Sequence, residues 1–450
     1  MLTVLAFVVA LGILIAVHEY GHYRVAVACG VKVHRFSVGF GKPILQWTSP
    51  RSGTEFVVGA IPLGGYVRML DEREGPVAPE LLSRAFNRQP LLSRSLIVAA
   101  GPAANLLLAI ALYTVVNWVG MQEPKAILSA PAVQSLAYQA GLRGQESVHA
   151  VQVQDNEVQP VQSFEQLRWL TVQAALEKKD ITLYWSSVNG KPAEHASTLA
   201  LSSLPTDKLE ADVGRHIGIQ SPWTEPVIEK VLEGGAAFKY GLKPGDLVKE
   251  AFGVAIVDGF QLRRLIRENP SSKSSWVVER NGQSLQIPVV TDAELEANVS
   301  VGKVGAYVGA PAEMVLVRHG LMEGLTSGIE KTWDVSWLSL KMMGRMLIGE
   351  ASLKNLSGPL TIADYAGKSA SMGMVQYIAF LALISVSLGV LNLLPLPVLD
   401  GGHLMYYLWE GITKRPISSH WMERLQKAGV GVLLVMMCIA FFNDISRLLG

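Results

Sequence analysis

Two histidines and a glutamate near the start of the chain have the types and spacing of a metal-dependent hydrolase: His18, Glu19 and His22, in the run VHEYGHY. On an α-helix, residues four positions apart lie on one face, so both imidazoles can direct a nitrogen at one metal ion while the glutamate reaches a water molecule beside it. Bound zinc lowers the pKa of such a water, and a carboxylate can take its proton as the water attacks a peptide carbonyl. This HExxH element therefore predicts peptide hydrolysis, with Glu19 as the general acid/base.

Two histidines are too few for a catalytic zinc site, which usually has three protein ligands and one open position. Asp400, in the run LNLLPLPVLDGGH, is the strongest candidate for the third ligand, because a carboxylate so close to hydrocarbon is costly unless a cation accompanies it. Pro395 and Pro397 break the helix there, so the carboxylate need not follow helical spacing. Two alternatives stay open: Asp400 caps the following helix, or His403 is the ligand instead.

Two asparagines lie in the same apolar regions. Asn392 precedes Asp400 in the helix-broken segment and could donate its amide to the carbonyl oxygen of a substrate as negative charge builds there. Its alternative role is to satisfy backbone groups that Pro395 leaves free. Asn105 is expected to hold two membrane helices together through hydrogen bonds.

The HExxH element follows directly on an uncharged apolar stretch, 1–17, that is long enough to enter a membrane. At about 1.5 Å per residue this stretch spans roughly 25 Å of a hydrocarbon core about 30 Å thick, so the metal site is expected inside the bilayer, toward the cytoplasmic face. The stretch lacks a positive n-region and exceeds the core of a usual signal peptide, so it is predicted to be retained.

Hydropathy predicts four transmembrane spans, at about 1–29, 95–120, 373–394 and 428–442. The fourth is short enough for an interfacial or buried helix, although Trp421 and Met422 before it could lengthen it. Lysine and arginine outnumber acids in the loop between the first two spans and in the loop between the last two, and such loops stay in the cytoplasm. Both termini and the long middle segment are therefore expected on the opposite side.

The composition agrees with a membrane protein. Half of the 450 residues are hydrophobic, 17% are charged and the formal net charge is +1, so there is no basic footprint for a nucleic acid. Cys29 and Cys438 both lie in apolar sequence, and no disulfide framework is expected in the rest of the chain.

The middle segment carries an internal repeat. The run QAGLRGQESVHAV from Gln139 aligns with KYGLKPGDLVKEA from Lys239, at an offset of one hundred residues. In each unit a strand-like run is followed by an Asn-Gly turn and a second strand. The repeat predicts two tandem copies of one small β-rich module.

Two further segments have patterns of their own. Residues 31–70 alternate apolar and polar side chains, which predicts a β-hairpin that lies against the membrane part and holds an unwound substrate at its edge by β-addition. Residues 311–371 contain Trp333 and Trp337 among methionines and basic residues. This pattern is typical of an amphipathic helix on the membrane surface, with a turn at Ser357, and packing of that helix on the β-rich modules is the alternative.

Three motifs together resemble those of the site-2 protease family of intramembrane zinc metalloproteases: HEYGH in the first span, GPAAN (Gly101 to Asn105) in the second, and N-x7-DG (Asn392 to Gly401) in the third. The resemblance covers almost the whole chain. It implies that His18, His22 and Asp400 bind Zn²⁺, that Glu19 is the general acid/base, and that Asn392 positions the substrate.

The second copy of the repeat resembles a PDZ domain in the permuted bacterial arrangement, through the runs VIEKVLEGGAAFKYGLKPGDLV and DGFQLRRLIREN. HIGIQ (His216 to Gln220) is expected to be its carboxylate-binding loop. The first copy resembles such a domain less, because QESV replaces the usual Gly-Asp pair and no HIGI-like run precedes it. PDZ domains bind C-terminal peptides by β-addition, which is expected of the second copy unless both copies only exclude bulky substrates or act as spacers.

Four spans with tandem PDZ modules between the second and third resemble the bacterial RseP-type members of this family. That resemblance implies a multi-pass protein of the bacterial inner membrane, with the PDZ domains and both termini in the periplasm. The implied partner is a single-pass transmembrane substrate of the anti-sigma factor type, within the lipid bilayer and without nucleic acid. Two other functions stay open: a non-enzymatic PDZ scaffold in the membrane, and a protease that mainly clears signal-peptide remnants.

The expected fold is a polytopic α-helical membrane protein with a membrane-associated β-hairpin and two tandem β-rich PDZ domains. The expected segments are the first transmembrane helix (1–29), the loop with the hairpin (30–94), the second transmembrane helix (95–120), the PDZ domains (121–221 and 222–309), the amphipathic segment (310–372), the third transmembrane helix with Asp400 (373–403), a cytoplasmic loop (404–427) and the fourth transmembrane helix (428–450).

Overall fold

The computed structural model describes residues 1–187, 195–204, 213–296, 299–347, 358–415 and 417–449. The chain forms two compact units, one of Met1–Met121 with Arg318–Leu449 and one of Gln122–Val317. The helices are α1 (Leu2–Ala28), α2 (Leu91–Val119), α3 (Leu136–Gln139), α4 (Phe164–Leu176), α5 (Val213–Ile217), α6 (Ala236–Lys239), α7 (Gly259–Glu268), α8 (Leu321–Leu347), α9 (Pro359–Met372), α10 (Met374–Asn392), α11 (Asp400–Thr413) and α12 (Ser419–Leu449). The strands are β1 (Val33–Thr48), β2 (Glu55–Met69), β3 (Met121–Pro124), β4 (Glu146–Val153), β5 (Gln159–Pro160), β6 (Ile181–Ser187), β7 (His195–Leu199), β8 (Ile228–Val231), β9 (Leu247–Ala251), β10 (Val254–Ala255), β11 (Lys273–Arg280), β12 (Gln283–Val290), β13 (Asp292–Glu296), β14 (Val299–Lys303), β15 (Ala306–Val308) and β16 (Met314–Val317).

Four helices of the described chain are long and apolar enough to cross a bilayer, as predicted: Leu2–Ala28, Leu91–Val119, Met374–Asn392 and, within α12, His420–Ser446. The short fourth span expected at 428–442 lies inside a helix of 31 residues. Hydropathy detects only the apolar centre of this helix and not the polar turns that continue it. The alternative of a short interfacial helix is therefore wrong.

Helix α2 lies at the centre of the first unit and packs against α1, α8, α10 and α11. A Cβ on Gly21 of α1 would stand 2.3 Å from the carbonyl oxygen of Ala100, and a Cβ on Gly389 of α10 would stand 3.1 Å from the side chain of Leu106. Small residues that let backbones approach this closely are a common means of helix association in lipid. The glycine of the HEYGH run therefore brings the HExxH face of α1 against α2.

Helix α8 lies in the segment where an amphipathic helix is expected, and it packs along α2. Its location on a membrane surface stays a prediction. The indole Nε1 of Trp118 on α2 donates a hydrogen bond to the carbonyl of Leu321, 2.9 Å away. Trp333 and Trp337 face outward and are exposed. Ser357, where a turn was predicted, lies outside the described residues, and Pro359 takes the first position of α9.

The first turn of α9 is capped by Asp444 of α12, a buried acid that the sequence pattern did not single out. Its carboxylate accepts hydrogen bonds from the backbone N–H groups of Gly358 and Leu360, each 2.9 Å away, and from the hydroxyl of Thr361 at 2.5 Å. A helix N-terminus leaves such N–H groups unpaired, and a carboxylate satisfies them. Asp444 therefore joins α9 to α12.

Strands β1 and β2 pair antiparallel, which confirms the hairpin expected in 31–70. The rings of Phe36 and Phe56 pack on Tyr23 of α1, with centroids 5.8 and 5.4 Å away. These aromatic contacts fix the base of the hairpin to α1. Toward the middle of the strands, Phe40 and Ile61 are exposed.

The second unit contains the two copies of the repeat, and each copy has its own hydrophobic core. The first copy has a sheet in the order β5-β4-β6-β7, and the second a sheet in the corresponding order β10-β9-β11-β12. Gly141 and Gly241, one hundred residues apart, both have positive φ, 91° and 78°, at the end of a one-turn helix. The predicted repeat is therefore confirmed at the level of strand order and of individual turns.

The prediction that HIGIQ (His216 to Gln220) serves the second copy is wrong. Ile217 and Ile219 are buried in the core of the first copy, so this run completes the first module. Its counterpart in the second copy comes after the sheet, where Val304 and Val308 are buried in the second core and β15 pairs with β8. The order of the sequence suggests that the run belongs to the module that follows it. In the structure, each module is completed by its own C-terminal segment.

Candidate metal centre and active site

The two histidines of the HExxH element lie one turn apart near the end of α1 and face the same side. Their Nε2 atoms are 3.2 Å apart, and their rings meet edge to face with centroids separated by 4.8 Å. Two imidazole nitrogens thus converge on one point, as the spacing predicts.

Asp400 is brought to the same point from the other end of the chain. Its Oδ2 lies 3.2 Å from Nε2 of His18 and 3.5 Å from Nε2 of His22. Helix α10 ends at Asn392 and α11 begins at Asp400, so the Pro-containing segment between them re-aims the chain. His18, His22 and Asp400 form a group in which all three ligand atoms lie within 4.8 Å of one another.

The chain around Asp400 is shaped for this placement. A Cβ on Gly401 would stand 2.2 Å from the carbonyl oxygen of Leu394, and one on Gly402 would stand 2.3 Å from that of Leu396. Leu399 is the N-cap residue of α11, and no side chain among the described residues caps the helix. The alternative that Asp400 serves as a helix cap therefore has no support in the structure.

The donor set fits a zinc ion. Two imidazole nitrogens and a carboxylate oxygen are ligands that zinc accepts, and three donors bound tetrahedrally at about 2.0–2.1 Å lie roughly 3.3 Å apart. The three observed separations, 3.2, 3.2 and 3.5 Å, match that value. The Oδ2 atom of Asp400 is buried and has no hydrogen-bond partner among the described residues, so a lone pair remains for a cation.

The Nδ1 atom of each histidine contacts a residue of α2. Nδ1 of His22 donates a hydrogen bond to the carbonyl of Ile97, 2.8 Å away, so the Nε2 lone pair is directed at the cluster. The amide nitrogen of Asn105, a fully buried residue, lies 3.3 Å from Nδ1 of His18. The backbone carbonyl of Asn105 also accepts a hydrogen bond from Ser385 of α10, which agrees with its expected role between helices.

Gly101 of α2 lies directly against both imidazoles. A Cβ there would stand 2.2 Å from Nε2 of His22 and 2.8 Å from Cε1 of His18. Sequence reasoning gave Gly101 no role. A signal was present, because Ile97, Gly101 and Asn105 recur every four residues and so share one face of α2.

Glu19 lies on α1 beside the hairpin and outside the group of three. A Cβ on Gly65 of β2 would stand 2.9 Å from Cγ of Glu19 and 2.9 Å from Ile15. The backbone of β2 therefore passes directly by the expected general acid/base. Only a residue without a side chain fits at position 65.

The helix that begins with Asp400 is tied to α2 by an ion pair. The guanidinium of Arg94 binds both carboxylate oxygens of Glu410, at 2.7 and 3.3 Å, and lies 5.1 Å from the ring centre of Tyr407. Both partners are largely buried. This bidentate contact anchors α11 and, through it, the position of Asp400.

Asn392 and His403 do not join the group of three. Asn392 is the last residue of α10, is half-buried, and makes no side-chain hydrogen bond to the described residues, so its role toward the substrate stays a prediction. His403 lies in the first turn of α11 with its ring against Tyr406, centroids 5.8 Å apart. The rival ligand is thus not brought to the cluster within the described part of the chain.

Comparison with known proteins gives matches along nearly the whole chain. The profile of peptidase family M50 matches residues 6–436. A protein of Ralstonia nicotianae, named as a candidate zinc metalloprotease, is 43% identical over 100% of this chain and 99% of its own length. The Escherichia coli protein named regulator of sigma-E protease RseP is 37% identical over 98% of each chain, and the Yersinia pestis protein named protease RseP is 38% identical over 98% of each.

Proposed function

This chain belongs to peptidase family M50 and is a zinc metalloprotease, and we propose that it hydrolyses peptide bonds within the transmembrane segments of single-pass membrane proteins. The observation that carries the proposal is the convergence of His18, His22 and Asp400. Two of these residues lie on α1 and the third follows α10. Both helices are long and apolar enough to cross a bilayer.

The roles of the residues follow from their chemistry. His18, His22 and Asp400 would hold the zinc ion, which supplies a Lewis acid and lowers the pKa of a water molecule when bound. Glu19 would accept a proton from the attacking water and pass it to the leaving amine. Asn392, at the end of α10, donates its amide to the carbonyl oxygen of the substrate.

A transmembrane substrate is helical, and the hairpin offers strands that can hold it in an extended conformation. A peptide bond in a helix is enclosed by hydrogen bonds, so the helix must unwind before hydrolysis. We propose that β1 and β2 hold the unwound segment by β-addition. The passage of Gly65 beside Glu19 supports this role, because a peptide paired to the hairpin there would run past the general acid/base.

We further propose a multi-pass location in a bacterial inner membrane, with both termini and the two repeat modules in the periplasm. The excess of lysine and arginine in the two short loops supports this orientation. The repeat modules would be PDZ domains. Either the second module binds C-terminal peptides, or both modules exclude bulky substrates. An anti-sigma factor is the substrate class suggested by the relatives named regulators of sigma-E protease.

The test is to purify the full chain in detergent, measure zinc per mole of protein, and follow cleavage of a single-span substrate. We expect about one zinc per chain in the wild type and in Glu19→Gln, with cleavage in the wild type alone. Glu80→Gln, at an exposed position far along the chain from the HExxH element, is the matched control and should cleave normally. A wild type without zinc and without cleavage would overturn the proposal and favour the PDZ scaffold. A Glu19→Gln variant that cleaves would refute the role proposed for Glu19.

A further inference from the structure

Asn105 is a fully buried polar residue on the face of α2 that meets the histidines. One end of its amide faces Nδ1 of His18, with 3.3 Å between the two nitrogens. The other end, Oδ1, is buried and has no hydrogen-bond partner among the described residues. A buried amide oxygen without a partner is costly, so its position needs a chemical reason.

The position of the amide can be explained by which ring nitrogen of His18 carries the proton when the other nitrogen binds a metal. A neutral imidazole carries one proton, and Nε2 of His18 must give its lone pair to the metal. The proton then sits on Nδ1, which becomes a donor and needs an acceptor rather than the N–H of an amide. A half-turn of the Asn105 side chain exchanges its two ends and presents Oδ1 to Nδ1. The proton on His18 therefore decides which end of the amide is turned to it.

We propose that Asn105 is a positioning residue that accepts the Nδ1 proton of His18 and so holds the lone pair of Nε2 toward the metal. This inference rests on the proposed zinc site. It gives His18 the same support that His22 receives from the carbonyl of Ile97 at 2.8 Å. Metal-binding histidines commonly donate their second N–H in this way, which fixes the tautomer and raises the basicity of the ligand.

The scaffold of Asn105 suits the role. Its backbone carbonyl accepts a hydrogen bond from the hydroxyl of Ser385 on α10, 2.7 Å away. The side chain of Asn105 takes no part in the hydrogen bond with Ser385 and faces α1. The interhelical contact and the contact with His18 therefore belong to different atoms of one residue, and substitutions can separate them.

The experiment measures zinc affinity of the full chain in detergent, by competition with a chelator, for three variants. Asn105→Leu removes the amide and keeps the number and branching of the side-chain heavy atoms. Asn105→Asp offers only acceptors when ionised, and Ser385→Ala removes the interhelical hydrogen bond without touching the amide. We expect Asn105→Leu to weaken zinc binding about 10- to 100-fold, as loss of such a partner usually does. Asn105→Asp should bind zinc about as tightly as the wild type, and so should Ser385→Ala.

Each result decides between definite alternatives. If Asn105→Asp binds zinc as weakly as Asn105→Leu, the working contact is not an acceptor for His18, and the inference is wrong. Unchanged affinity in Asn105→Leu also overturns it. If Asn105→Leu does not fold, Asn105→Asp decides, because an ionised carboxylate cannot donate to Nδ1. A wild type without zinc would instead refute the proposed function, so the two failures are distinguishable.

Discussion

Gly101 faces His22 so closely that a Cβ on the glycine would stand 2.2 Å from Nε2 of the imidazole. Real Cβ atoms do not approach a nitrogen to this distance, so an added methyl group must displace either the ring or the helix that carries it. The ring is bound through Nδ1 to the carbonyl of Ile97, on the same helix as Gly101. The position of the His22 ring is thus set by two backbone positions of α2, Ile97 and Gly101, and not by α1 alone.

The first prediction follows for Gly101→Ala. We expect zinc affinity and cleavage both to fall by about 100-fold or more, because a ligand moved by even part of an ångström no longer meets the others. Gly12→Ala on α1 is the matched control, since a Cβ there meets nothing within 4 Å, and it should bind zinc and cleave normally. The measurement is chelator competition together with cleavage of a single-span substrate. Normal zinc affinity in Gly101→Ala would contradict this prediction. It would show that α1 and α2 can move apart without displacing His22 from the metal site.

Gly65→Ala should separate metal binding from catalysis. A Cβ at this position would stand 2.9 Å from Cγ of Glu19 and 2.7 Å from the carbonyl oxygen of Ser37. The added methyl group would touch the proposed general acid/base and the partner strand, and its three nearest atoms include none from the proposed metal ligands. We therefore expect full zinc content with cleavage reduced about 10- to 100-fold.

Gly75→Ala, in the loop after the hairpin, is the control for this variant because its Cβ would meet nothing within 4 Å. The same two assays apply. Cleavage at the wild-type rate in Gly65→Ala would mean that β2 moves away from Glu19 freely, and the proposed β-addition beside this residue would lose its support.

The third prediction concerns the anchor of α11. Arg94 and Glu410 are both largely buried, with side-chain exposures of 17% and 22%, and their contact is bidentate. Arg94→Met leaves the carboxylate without its partner and should destabilise the chain by about 1–3 kcal/mol. Because α11 begins with Asp400, zinc affinity should fall as well. Thermal unfolding in detergent and chelator competition provide the two measurements.

A second substitution tests whether the pair itself is responsible. Arg94→Met combined with Glu410→Gln removes the unpaired charge and should recover most of the lost stability. Lys427→Met breaks an exposed pair with Glu423 and should leave the midpoint of thermal unfolding unchanged. A double variant no more stable than Arg94→Met would show that the guanidinium acts through its contacts with Tyr407 and the carbonyl of Gln89 instead.

The parts of the site that depend on local spacing or on the cost of burial could be predicted from the sequence. His18 and His22 share a helix face whatever surrounds them, and Asp400 is conspicuous because a carboxylate in apolar sequence needs a cation. The four apolar spans and the repeat were equally accessible. These features depend on residues that are close in sequence or on composition, and neither requires knowledge of the packing.

The parts that depend on which faces meet could not be predicted. Gly101 matters only because α1 approaches α2 at Gly21, and no pattern within either helix names its partner face. Asp444 caps α9 from another helix, so its role requires the arrangement of both. The prediction for HIGIQ failed because a segment that completes the core of a module can come from either side of that module along the chain. Each case involves a contact between segments distant in sequence.

The last prediction concerns Asp258, a fully buried acid in the second unit. It caps α7 by accepting a hydrogen bond from the N–H of Gln261, 2.7 Å away, and it also accepts one from the N–H of Ala130 in the other copy of the repeat. Burial, the largest influence, raises the pKa of its carboxyl above the ordinary value, while the backbone hydrogen bonds act in the opposite direction. The folded unit therefore binds this proton more tightly than the unfolded chain does.

The sign of the pH dependence follows from that difference. Stability from the Asp258 proton is fully present below about pH 4, the ordinary pKa of an aspartate, and is lost as pH rises through the raised pKa of the folded state. We expect the amide of Ala130 and those of α7 to lose protection from hydrogen exchange, corrected for the intrinsic rate, as pH rises above about 4. Asp258→Asn should abolish this trend, whereas Asp155→Asn, at an exposed turn, should keep it. Protection that rises with pH over the same range would mean that the backbone hydrogen bonds outweigh burial and hold the carboxyl ionised.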